Sequence, residues 1–197
     1  MVMRVVIGLL AVWIGLGASG CGGLASAGSM KVVSRGDEAA SLSLDLPTRV
    51  CDAPDNASLE FFLTDLPPAV WKSGADVSDM SGVIVHIHMF IFPKAGRTPI
   101  EYTASTATVR VLVLARGELG VFGGGGFFTK SGSIGDAKLG GALHEATLRL
   151  IRATPGFDDR LGPGVASGGV SATNDPAQVR ALRRVFNYLS SFATPLE

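Results

Sequence analysis

The sequence predicts a mainly β domain, an α+β arrangement in which an antiparallel sheet or sandwich of about seven strands carries one amphipathic helix at its C-terminal end. Three observations point there. Apolar and polar residues alternate over short runs such as SLSLDL (41–46). β-Branched residues crowd two longer runs, VIVHIHMFIF (83–92) and TATVRVLVLA (106–115). Apolar residues recur at clear helical spacing in one stretch only, after Pro176. Period two marks strands, and a period near 3.6 marks a helix.

The strands follow in order. Lys31–Val33 offers a possible first strand. Leu42, Leu44 and Leu46 alternate with Ser43 and Asp45, and Pro47 closes the run. Leu59, Phe61 and Leu63 alternate with Glu60, Phe62 and Thr64 before Pro67-Pro68. Along Val83–Phe92 the odd positions Val83, Val85, Ile87, Met89 and Ile91 form one apolar face. The even positions Ile84, His86, His88, Phe90 and Phe92 form the other. Pro93 stops that strand, and Lys94–Thr98 makes a polar turn. Thr106–Ala115 and Glu118–Phe122 form a hairpin about Arg116-Gly117. Gly123–Gly126 interrupts, and Phe127-Phe128 resumes. Lys130–Gly141 reads as a loop. In His144–Arg152, Leu148 and Leu150 flank Arg149, which favours a strand over a helix. Gly156–Gly169 reads as loop, with a short strand at Val170–Ala172.

The helix is expected over about 176–191. Asn174 or Asp175 can cap it, and Pro176 suits a first turn, where its missing N–H costs nothing. Val179, Leu182, Phe186 and Leu189 form one stripe, which needs a sheet to cover. Arg180, Arg183, Arg184 and Asn187 lie off the stripe and read as a solvated face.

The N-terminus has a different character. MVMRVVIGLLAVWIGLGASGC places one cation, Arg4, before an uncharged run from Val5 to Gly17. That run has the length of a signal-peptide core and falls short of the ~20 residues that span a bilayer. Ala18, Ser19, Gly20 and then Cys21 follow. This segment resembles the lipobox of bacterial lipoproteins, over residues 1–21 only, with Ala18 where the family often has Leu. The resemblance implies cleavage before Cys21, acylation of its thiol by palmitate-type chains, and a mature protein held on the cell envelope. Gly22, in place of Asp, implies the periplasmic side of the outer membrane rather than the inner membrane in a Gram-negative host. A plain secretory signal or an uncleaved anchor is the competing reading. The expected organisation is a signal peptide at 1–20, a lipidated cysteine and Gly/Ala/Ser-rich tether at 21–40, and one globular domain at 41–197.

Charge narrows the function classes. The chain holds 17 Lys+Arg against 17 Asp+Glu. Loss of residues 1–20 removes Arg4 and no acid, which leaves one net negative charge. A broad basic field for nucleic acid is therefore not expected. Of the two cysteines, acylation of Cys21 leaves Cys51 without a disulfide partner, and a small buried hydrophobe is the reading for it. Asn56-Ala57-Ser58 matches a glycosylation acceptor that a bacterial host would rarely use.

Few residues offer chemistry. His86 and His88, two apart on a strand, project to one side, as ligands of zinc or another divalent metal can. His144 is the remaining histidine, with Glu145, Glu101 and Asp136 as possible oxygen donors. Ile84, Phe90 and Phe92 share the face of the histidine pair, so packing competes with ligation there. The cupin pattern is absent: Phe92 and Pro93 stand where its acid would follow. Gly123–Gly126 could form an anion nest, but Gly-Lys-Ser/Thr at a helix start is missing, and a bulge or close packing fits the strand context better. No Gly-x-Ser-x-Gly elbow is present, and Ser167 stands among small residues. Nothing in the spacing pairs Cys51 with His86 or His144. Asp158-Asp159 reads as a loop turn, with a cation or Arg160 as partner. Trp71 reads as core cover rather than a docking aromatic.

The expected protein is a lipid-anchored envelope component without a cofactor. It would bind an envelope partner or serve a structural role rather than catalyse. A metal protein built on His86 and His88 is the first alternative, and a carrier of an apolar ligand the second.

Overall fold

A computed structural model describes residues 29–36, 40–55, 58–73, 76–90 and 105–196. The strands are β1 (Ser29–Ser34), β2 (Ser41–Asp45), β3 (Thr48–Asp52), β4 (Leu59–Thr64), β5 (Ser81–Met89), β6 (Ala107–Ala115), β7 (Glu118–Ser131), β8 (Lys138–Ala153), β9 (Gly164–Asn174) and β10 (Thr194–Pro195). Two helices accompany them, α1 (Pro68–Ser73) and α2 (Pro176–Ser191). The domain is mainly β with the C-terminal helix packed on the sheet, as the sequence pattern predicts. Among the described residues it has ten strands rather than seven, in one sheet of order β10-β8-β7-β6-β5-β4-β3-β9-β1-β2.

That sheet closes on itself. β8 also pairs with β9, so β3 to β9 form a continuous ring of strands. The β3–β9 seam is parallel, with Val50 opposite Thr173 and Cys51 opposite Asn174, so the sheet is mixed rather than purely antiparallel. β1 takes over the same edge of β9 further along, from Met30 opposite Gly168 to Ser34 opposite Gly164, and carries β2 on its outer side. β1 lies inside the stretch expected as tether, and Lys31–Val33 belong to it.

Alternation sorts the side chains between the inside and outside of the ring. Val83, Val85, Ile87 and Met89 of β5 point inward, with Leu59, Phe61 and Leu63 of β4 beside them. The interior is filled by such side chains, with Phe61 and Phe128 in ring contact at 5.2 Å. A ring of this strand number has just enough room for side chains. On the outside, Val50, Phe62, Ile84, Leu112 and Val121 meet Val179, Leu182, Phe186 and Leu189 of α2. Burial of each such stripe residue contributes roughly 1.5–3 kcal/mol, which holds the helix to the ring. The N-cap is Asp175, whose Oδ1 accepts from the Gln178 backbone N–H at 2.9 Å.

Several boundaries differ from the expectation. β7 runs without a break through Gly123–Gly126, and β8 begins at Lys138 inside the expected loop. The reason is close approach of the two strands: a Cβ on Gly124 would lie 1.7 Å from the Thr147 carbonyl oxygen, and one on Gly126 2.5 Å from the Ala146 Cα. The glycines are the condition for that strand pair, not a gap in it. The pairing shifts register between Gly123 and Phe127. A second shift, on the β9 side of β8, lies between Leu143 and Ala146, with Glu145 at φ 43°. β3 follows directly after Pro47, over residues for which the sequence pattern predicts no strand. β9 starts at Gly164, six residues ahead of the short strand expected at Val170. The β6–β7 hairpin forms as expected, its turn at Arg116 and Gly117 with φ of 51° and 85°, the left-handed pair that favours a tight hairpin.

Candidate functional site

His86 and His88 lie on the outer face of β5. Register places Phe62 of β4 on one side of His86 and Arg110 of β6 on the other. Glu60 and Thr108 flank His88 in the same way. The His86 ring stacks on Phe62, with centroids 4.4 Å apart and planes 8° from parallel, and meets the edge of Phe186 on α2 at 6.0 Å. The two histidine rings are 6.3 Å apart and nearly parallel. Burial falls along the row: Ile84 is sealed beneath the helix, the His86 side chain is 16% exposed, and Phe90 is 41% exposed.

The charged partner of this row is Glu60, with its side chain 14% exposed. Arg183 of α2 donates through Nη2 to Glu60 Oε2. Glu60 Oε1 lies 3.9 Å from His86 Nε2, beyond hydrogen-bond reach. Among the described residues, His86 Nε2 and Arg183 Nε are buried without a hydrogen-bond partner. Burial pushes the His86 pKa down to about 3, and His88, Arg110 and Arg183 add like-charge repulsion. The nearby Glu60 favours the charged form, but it is engaged by Arg183, and the loss of hydration outweighs it. His86 is therefore neutral and packs as an aromatic side chain.

The other expected site residues do not join this row. His144 lies on β8, in ring contact with Phe127 at 6.3 Å, with Nε2 3.3 Å from the Thr129 hydroxyl. Glu145 is exposed, and its backbone N–H donates to Ser167 Oγ at 3.1 Å. Asp136 accepts from the Ser133 N–H within its own turn at 2.7 Å. Glu101, Phe92 and Cys21 lie outside the described residues. Among the described residues no three His, Cys, Asp or Glu side chains come together as a metal would need.

Cys51 is fully buried inside the ring, its Sγ 3.7 Å from the Ala172 carbonyl oxygen. Burial pushes its thiol up to about 11. Trp71 is buried beneath α2, as core cover. Asp158 pairs with Arg160 at 2.8 Å on an exposed loop, and Asp159 Oδ1 accepts from the Leu161 and Gly162 N–H groups. Gly123–Gly126 are in extended strand and form no anion nest; the glycines with positive φ among the described residues are Gly117, Gly132, Gly135 and Gly162.

Arg183 is the departure from the expected solvated helix face. It is half-buried and reaches across to β4. Glu60 was legible only as the polar member of an alternating strand. What could have flagged it is parity: Glu60 and Phe62 share a face, and a buried carboxylate there demands a cation from the covering element. Comparison with protein-family models, with curated proteins and with solved structures finds no match for the chain.

Proposed function

We propose that the chain is an exported lipoprotein, held on the cell envelope by acyl chains on Cys21, whose ring-shaped β domain acts by binding or by structure rather than by catalysis. The observation that carries this reading is the segment GLGASGC, small residues and a cysteine directly after the apolar run 5–17. One acyl chain anchors marginally, and two or more anchor stably. The first described strand starts at Ser29. The residues between Cys21 and Ser29 span at most ~30 Å when fully extended. The domain would then work close to the membrane surface, with a partner in the envelope.

Support for a non-catalytic role comes from the two groups best suited to catalysis. Cys51 is sealed in the interior with its thiolate disfavoured, and His86 is stacked, neutral and covered by α2. Neither is poised as a nucleophile or base. The test is metabolic labelling with a radioactive fatty acid. Wild-type protein should take up label and sediment with membranes, and Cys21→Ser should remain an unlabelled precursor. Equal labelling of Cys21→Ser overturns the reading.

A metal-binding role for His86 and His88 is the second reading. It is favoured by the unpartnered Nε2 of His86 and the shared face of the pair. Elemental analysis of untagged protein tests it: one equivalent of zinc or another divalent metal, lost in His86→Ala and His88→Ala, would establish it.

A further inference from the structure

A second polar cluster adjoins the histidine row and extends along α2, sharing Arg110 and Phe186 with the surroundings of His86. A cleft of about 310 Å³ opens between the C-terminal half of α2 and the outer faces of β6, β7 and β8. Val121, Ile151 and Phe186 form its apolar walls, and Arg110, Arg152, Asn187 and Ser190 bring the polar groups. We propose that this cleft binds a small soluble oxyanion, a phosphate or carboxylate group held between the Arg110 and Arg152 guanidiniums.

Four observations support the assignment. First, neither Arg110 nor Arg152 has a carboxylate within ion-pair distance among the described residues; the nearby acid, Glu60, is taken by Arg183. Two guanidiniums facing one cleft repel each other, and an anion between them removes that cost. Second, Arg152 is held in place, because its Nε donates to the Ala193 carbonyl at 3.0 Å. The fixed fork leaves its terminal N–H groups to a ligand. Third, Ser190 Oγ is buried without a hydrogen-bond partner among the described residues. A hydroxyl in that state is costly unless something accepts from it or donates to it. Fourth, Gly123 stands opposite Arg110 on β7, so the position directly across from Arg110 carries no side chain. A Cβ there would strike Ile151 Cδ1 at 2.7 Å, so the glycine also lets Ile151 wall the cleft.

The carbonyl end of α2 carries partial negative charge and opposes an anion. Arg152 meets that charge at Ala193 and reduces the opposition. The buried Ser190 hydroxyl and partly covered Arg152 place donors below the surface, where a flat layer of lipid headgroups cannot reach, so the ligand is small and soluble. The inference stands independently of lipid attachment.

The test is isothermal titration of the processed protein in nonionic detergent with inorganic phosphate, pyrophosphate and citrate, at constant ionic strength. At least one should bind saturably at one equivalent. Arg110→Gln, at an exposed position, should weaken that binding at least tenfold, and Ser190→Ala about threefold. Arg184→Gln, on the exposed face of the same helix, should leave it unchanged. No saturable binding of any of the three at millimolar concentration overturns the proposal. So does equal weakening by Arg110→Gln and Arg184→Gln, which marks diffuse charge attraction.

Discussion

His86 lies flat against Phe62, 4.4 Å between ring centroids and 8° between planes, with the α2 residue Phe186 at its edge. A titratable ring has been built into an aromatic cluster beneath a helix. Its pKa is pushed down to about 3 by burial first, then by His88, Arg110 and Arg183. In the unfolded chain the same imidazole titrates near 6.5. Below about pH 6.5 the unfolded state binds a proton that the folded state refuses until about pH 3. Stability from this residue is therefore complete above pH 6.5 and falls as pH drops through that window, by roughly 2–5 kcal/mol. His86→Phe keeps the stack and removes the proton site. Urea unfolding at pH 7 and pH 4.5 should show a smaller loss in His86→Phe than in wild type; equal losses would place the acid sensitivity elsewhere.

Glu60 and Arg183 join the ring to its helix. Glu60→Gln leaves a half-buried guanidinium facing a neutral amide, and should cost about 1–3 kcal/mol, at the lower end because Arg183 keeps contact with solvent. The double variant Glu60→Leu with Arg183→Met should recover most of that loss, since a packed apolar pair has no desolvation cost to offset. Denaturant midpoints of Glu60→Leu, Arg183→Met and the double variant measure this directly. Additive losses would show that the two residues act independently.

Cys51 supplies a kinetic test of the closed ring. Its thiol is fully buried and pushed up to about 11, so both access and thiolate population are low near neutral pH. Alkylation of the native protein should be at least a hundredfold slower than in denaturant. Fast native modification would mean that the β3–β9 seam opens readily.

The parts of this fold that were legible are those set by local pattern. β5 reads directly because Val83, Val85, Ile87 and Met89 need only period two. α2 reads directly because Asp175, Pro176 and the stripe from Val179 to Leu189 lie within one segment. The illegible parts depend on distant partners. Cys51 pairs with Asn174 across the seam, and nothing near either residue announces it. Gly140 and Gly141 look like loop residues until their strand neighbours are known: a Cβ on Gly141 would come 2.3 Å from the Thr129 carbonyl oxygen. The site follows the same division. His86 and His88 were visible as a same-face pair, but the helix that seals one and leaves the other nearer solvent was not. Arg110 and Arg152 belong to separate strands, and only the pairing of β6 and β8 with β7, and the packing of α2 over them, brings them to one cleft.

The β7–β8 approach yields the most severe substitution. Gly124 faces the backbone of β8, and a Cβ there would sit 1.7 Å from the Thr147 carbonyl oxygen. No rotamer relieves a clash with main chain, so the strands must separate or the register must slip. Either change exposes ladder hydrogen bonds and reshuffles inward and outward faces along β8. Gly124→Val should therefore cost about 3 kcal/mol or more, enough to deplete the folded protein. Gly36 is a control, since a Cβ there meets only Ser34 Oγ at 3.4 Å, an ordinary contact. Gly36→Ala should change stability by less than about 0.5 kcal/mol. Soluble yield and thermal melting of the two variants decide the matter. A Gly124→Val protein that melts like Gly36→Ala would show that β7 and β8 can part at the glycine run without loss of the ring.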